Sequence, residues 1–143
     1  MFNHLSIPFH PILVHFPIAL FFTACLFQLL NIFTCKDSFH HTAIQVYVLG
    51  SMMAILAVIS GWVEANELHL KHPILNSHRF FAFFTLGVAL TGLVVLGLSK
   101  RYFPKYFRQI FTVLVLMVAI LSLATGYYGG RMVYEYAVGV EIS

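Results

Sequence analysis

The apolar positions of this chain fall into four long runs separated by short polar stretches. Roughly Ile12 to Phe33, Ala43 to Val63, Phe80 to Ser99 and Gln109 to Gly130 are nearly continuous in Leu, Val, Ile, Phe, Ala and Met. Each is close to the about 20 residues that a helix needs to cross the hydrocarbon of a bilayer. Backbone in lipid has to satisfy its own hydrogen bonds, so such runs predict helices. Short connections make consecutive spans antiparallel. The expected fold is all-α, an integral membrane up-and-down four-helix bundle, with residues 1–143 as a single transmembrane domain.

The residues that interrupt the runs carry more information than the runs. The first span opens as His10-Pro11-Ile12-Leu13-Val14-His15-Phe16-Pro17. Pro11 suits a first helical turn, where its missing N–H costs nothing. Pro17 lies deeper and removes the partner of the Leu13 carbonyl, which predicts a kink beside His15. His10 and His15 are about 140° apart around a helix, so they serve two sites or two sides of one. The second span carries Gly50, Ala54, Ala57 and Gly61, a stripe that lets a neighbour approach closely. Trp62 marks the membrane interface, with Glu64, Glu67 and His69 after it. The third span opens at Asn76-Ser77-His78-Arg79, where Asn76 or Ser77 suits an N-cap. The fourth ends in the small-residue row Ser122, Gly126 and Gly130.

Folded up and down, the start of span one, the end of span two, the start of span three and the end of span four share one membrane face. His10, His15, Pro17, Gly61, Trp62, Glu64, Glu67, His72, His78, Arg79, Gly126, Gly130, Arg131 and Tyr134 all lie toward it. The other face offers His40 and His41 beside a basic loop.

Composition agrees with a membrane class. Hydrophobic residues make up 60% and charged residues 9% of the 143, and the mean hydropathy is +0.88, more than a soluble core of this size can hide. The net charge of +3 matters through its placement. Lys36, Lys100, Arg101, Lys105 and Arg108 flank one face, and Lys71, Arg79 and Arg131 the other. The positive-inside tendency makes the first group cytoplasmic and puts both termini on the periplasmic side of a bacterial inner membrane. No basic patch suggests nucleic acid. The first run follows no Lys or Arg and is too long for a signal-peptide core, so it is expected to stay as a helix. Cys25 and Cys35 lie too far apart on one helix to bridge. Without C-x-x-C-H, covalent c-type haem attachment is excluded.

An imidazole inside a membrane needs a partner because its nitrogens are costly to desolvate. His15 and His78 sit at similar depth on spans one and three, and are expected to face each other as axial ligands of a b-type haem. Gly126 and Gly130 would give the porphyrin a groove, and Arg79 and Arg131 would pair with its propionates. His10 and His72 form a second candidate pair, for a second haem or a metal. Glu64, Glu67, His69 and His72 carry carboxylate and imidazole groups suited to a divalent cation. The plainer readings stay open beside these: histidines that only bond between helices, glutamates solvated or paired with arginine, and glycines that only pack helices.

At His10 to Leu20, Gly61-Trp62, His78 and Gly129 to Val140 the chain resembles the bacterial four-span membrane family designated domain of unknown function twenty-two thirty-one. The resemblance covers essentially the whole chain. It matches a pattern of H-P-x-x-V-H-F-P-I-A-L at the start, a histidine opening span three and a G-G-x-L-V-Y tail, which carries over His10, His15, His78 and Tyr134. Some members are joined to Rieske or c-type cytochrome domains, which implies electron transfer. The chain departs from the pattern at Gly61, where an acidic residue is usual and Glu64 is a possible stand-in. It departs again at Tyr136-Ala137, where many members have histidine and glycine.

The expected function is a membrane b-type cytochrome-like electron-transfer subunit holding one haem b, or two if His10 and His72 also bind. Its expected partners besides the lipid bilayer are a periplasmic c-type cytochrome, a Rieske protein or a quinone-linked respiratory complex. A proton or cation transporter is the first alternative, although no charge lies at mid-membrane and no inverted repeat of broken helices is evident. A colourless structural subunit, packed through its glycines into a homo- or hetero-oligomer, is the second.

Overall fold

The structure, a computed structural model, describes residues 9–67, 69, 72–102 and 106–137, the side chains of 67 and 99–101 excepted. The described residues form four helices: α1 (Phe9–Thr34), α2 (Asp37–Glu67), α3 (Pro73–Tyr102) and α4 (Phe107–Tyr134). All four are long and apolar enough to cross a membrane. They run past the apolar segments, α2 beginning at Asp37 rather than Ala43 and α3 at Pro73 rather than Phe80. The intrahelical ladder does not stop where the hydrocarbon does, so polar residues continue the helix into the headgroup layer. Pro73 opens α3 in the position proline favours. Asn76 and Ser77 therefore lie inside the helix and do not cap it. α1 continues as one helix through Pro17, which is buried.

α1 packs most extensively on α2 and α3 on α4, so the bundle is two helical hairpins laid side by side. In lipid an apolar side chain gains little by leaving the surface, so close backbone approach decides the packing. The Gly50 backbone lies against the Phe21 ring, where a Cβ would come within 3.1 Å. Gly92 makes room for the Tyr47 hydroxyl, which donates to the carbonyls of Ala89 at 3.1 Å and Val88 at 3.3 Å. Tyr47, Phe21, Phe111, Val115 and Val118 form the fully buried centre. Phe33, Phe80 and Ile120 face outward, as lipid-facing positions should.

The hairpins repeat one another with an offset of 68 residues. The buried positions Pro17, Phe21 and Ala24 of α1 recur as Thr85, Ala89 and Gly92 of α3, and Ala43, Tyr47, Gly50, Ser51 and Ala54 of α2 recur as Phe111, Val115, Val118, Ala119 and Ser122 of α4. Both hairpins begin on the same membrane face, so this is a parallel repeat and not an inverted one. Few residue identities survive, but His10, Thr23 and Gly61 reappear as His78, Thr91 and Gly129.

Candidate functional site

His10 is the second residue of α1, in the first turn, where backbone N–H groups lack helical partners. Its own N–H is taken by a carboxylate oxygen of Glu64 on α2 at 3.3 Å, which also puts negative charge at the positive end of a helix. The ring turns inward onto α2. Nδ1–H is shared between the Ala57 carbonyl at 3.0 Å and the Ser60 hydroxyl at 3.1 Å, and Ser60 itself donates to Ala57 at 2.9 Å. A carbonyl only accepts, so Nδ1 carries the hydrogen and Nε2 the lone pair.

The second hairpin builds the same arrangement. His78 on α3 donates from Nδ1 to the Thr125 carbonyl of α4 at 3.1 Å, and Thr125 is the repeat equivalent of Ala57. The Thr125 hydroxyl is bonded to Thr85 on α3 at 3.1 Å, which ties the two helices together at that level. Each ring lies against a glycine. A Cβ on Gly61 would stand 2.6 Å from Cε1 of His10, and one on Gly129 would stand 3.3 Å from Cε1 of His78. Gly61 and Gly129 are again equivalent positions.

The two rings meet across the seam between the hairpins, with centroids 6.2 Å apart and planes at 84°. Equivalent positions in contact with each other are the mark of a two-fold arrangement. Both rings are half-buried, and the contacts above leave Nε2 of each uncommitted.

His15 does not join them. It is exposed on the outer side of α1, and its Nδ1 donates to the Pro11 carbonyl of its own helix at 2.5 Å. The pair across the bundle is therefore His10 with His78, not His15 with His78. Nor does His72 pair with His10: its Nδ1 accepts from the Ile74 N–H at 3.3 Å and its ring packs on Tyr136 at 4.7 Å. Gly129, not Gly126 or Gly130, is the glycine beside an imidazole. A Cβ on Gly126 would meet only Ile18 at 3.8 Å, and one on Gly130 nothing within 4 Å.

At the rim, Arg79 lies over the Trp62 ring at 5.2 Å. Arg131 is bonded to Glu135 at 2.7 Å and to the Tyr136 hydroxyl at 3.1 Å, while Tyr134 is exposed. Among the described residues Arg79 is the guanidinium without a carboxylate partner, Arg108 being paired with Asp37. The Glu67 side chain lies outside the described residues, and His69 bonds to Asn66 in its own turn. Among the described residues no three His, Cys, Asp or Glu side chains come together as a metal-binding group.

Two imidazoles with no third ligand suit some groups better than others. Structural zinc takes four protein ligands. A haem brings its own equatorial nitrogens and asks the protein for axial ones. The Nδ1–H to carbonyl bond on each ring is the usual outer support of a metal-binding histidine, fixing tautomer and orientation.

The family described as a predicted membrane protein, DUF2231, matches residues 6–142, and the chain belongs to it. No curated protein and no solved structure matches the chain. The protein is a multi-pass membrane protein with four spans among its described residues.

Proposed function

We propose that this member of a four-span membrane family is a b-type cytochrome-like electron-transfer protein whose haem is held by His10 and His78. The observation that carries the reading is the pairing of those rings across the hairpin seam at 6.2 Å, each anchored through Nδ1 to a backbone carbonyl. The haem would supply an iron that takes up and gives back one electron. The protein's part is to fix the two rings. Ala57 and Thr125 hold them by their carbonyls, Gly61 and Gly129 give them room, and Glu64 ties the first turn of α1 to α2. A haem held by two imidazoles would suit electron transfer rather than oxygen activation. Of the two rim arginines, Arg79 suits a propionate better, because Arg131 already has Glu135.

The charge pattern supports a site on the periplasmic side of a bacterial inner membrane, since five basic residues flank the opposite face and three this one. Partners of matching chemistry are a periplasmic c-type cytochrome, a Rieske protein or a quinone-linked respiratory complex.

The test is a dithionite-reduced minus air-oxidised visible spectrum of the detergent-purified protein, with a pyridine haemochrome to count haem per chain. A sharp α band with one b-type haem per chain is expected, and His10→Ala or His78→Ala should remove it while the protein still inserts. A wild-type chain that stays colourless when purified with haem supplied, or unchanged spectra in both variants, would overturn the reading. A colourless protein that makes liposomes proton-permeable would favour a transporter.

A further inference from the structure

The two halves of the site match in their anchors but not in their charge. On the first hairpin the ring of His10 is bonded by Ser60 as well as by the Ala57 carbonyl, and the Glu64 carboxylate accepts the His10 N–H at 3.3 Å. In the 68-residue repeat the positions equivalent to Ser60 and Glu64 are Tyr128 and Met132. Among the described residues His78 has the carbonyl and the glycine, and no side-chain hydroxyl or carboxylate is bonded to it. Glu64 is half-buried on a span and sits on one side only of an otherwise duplicated site.

A carboxylate beside a redox centre favours the more positively charged, oxidised state, and the low-dielectric surroundings of a bundle end strengthen the effect. The net charge and hydrogen bonds around a haem are among the levers that set its potential. Resting on the haem reading above, we infer that Glu64 is a positioning and charge-setting residue that makes the two axial imidazoles unequal and lowers the reduction potential of the site. Among the described residues neither arginine of this face is bonded to Glu64: Arg131 is bonded to Glu135, and Arg79 lies over Trp62 beside the other imidazole.

Potentiometric titration of the haem-loaded full chain at one pH tests this, using wild type, E64Q, M132E and the double variant. The amide introduced by E64Q keeps a side-chain oxygen to accept the His10 N–H and removes only the charge. The midpoint of E64Q should rise by about tenfold in the reduction equilibrium constant, 59 mV for a one-electron couple. M132E, which gives His78 the missing carboxylate, should shift it down, and E64Q/M132E should return it toward wild type. An E64Q protein with full haem and the wild-type midpoint overturns the inference and leaves the haem assignment standing. Should E64Q fail to load haem, M132E decides, a lowered midpoint supporting the inference and an unmoved one overturning it. Wild type that binds no haem removes the assignment and this inference together.

Discussion

Each end of the bundle turns histidine inward, and the two ends use it differently. At the far end His40 donates from Nδ1 to the Gln28 side chain at 2.9 Å, Gln28 donates to the Thr112 hydroxyl at 2.7 Å, and Thr112 donates to the Arg108 carbonyl at 2.8 Å. The ring edges toward Phe107 and Phe111, and Arg108 closes the end with Asp37 at 2.8 Å. That chain of side-chain bonds ties α1, α2 and α4 together, as polar residues do where lipid offers no partner. At the near end each imidazole is held by a backbone carbonyl against a glycine and faces another imidazole from the other hairpin. His40 also has a histidine ring 6.2 Å away, but it is His41, the next residue of the same helix and exposed. Separation alone does not mark a site. What the near end adds is two rings brought together from different hairpins, each held through Nδ1 by a backbone carbonyl.

The contrast can be broken most severely at Gly61. Its missing Cβ is the space that His10 fills, so Gly61→Ala forces the ring off the Ala57 carbonyl at an overpacking cost of about 1–3 kcal/mol. Haem retained per chain should fall about tenfold or more at the upper end of that range. Gly129→Ala, with its nearest contact at 3.3 Å, asks His78 to move only slightly and should lose far less. Equal losses in the two variants would mean that the glycines do not act through the rings.

At the other end Gln28→Leu removes the link between His40 and Thr112. The expected result is an unfolding free energy in detergent lower by about 0.6–2 kcal/mol, the scale of interhelical bonds in membranes, with no change in the haem spectrum. A spectral change there would show that the two ends are not separate. The smallest effect is expected at His15, which is exposed and bonded only to its own helix. His15→Ala should leave haem content, spectrum and midpoint as in wild type, and loss of the Soret band in that variant would reinstate it as a ligand.

Much of the near end was legible in the sequence. The collection of unusual residues at one face follows from antiparallel helices, and the stripe Gly50, Ala54, Ala57, Gly61 marks the face of α2 that α1 approaches. That His10 turns inward and His15 outward also has a signal in the sequence. His10 precedes Pro17, Ala24 and Asn31 at intervals of seven, and all three are buried. In a soluble helix the inward face is the apolar one, but here every face is apolar, so the inward face of α1 is marked by its small and polar residues. His78 stands in the same relation to Thr85 and Gly92. A comparison of the chain with itself at an offset of 68 would have paired His10 with His78 and Gly61 with Gly129. The far-end network leaves no mark in the sequence, because Gln28 and Thr112 lie 84 residues apart and neither stands out within its span.

The sequence by itself determined that four helices cross a membrane, in which order and in what alternation, and which residues reach each face. Long apolar runs and unsatisfiable backbone in lipid leave no other solution. The rotation of each helix about its own axis was left to the tertiary structure. Where all sides of a helix are equally at home in lipid, only the fit of Phe21 on Gly50, Tyr47 in the space at Gly92 and the imidazoles on Gly61 and Gly129 fixes which side turns inward. That rotation, and not the count of histidines, is what sets His10 opposite His78.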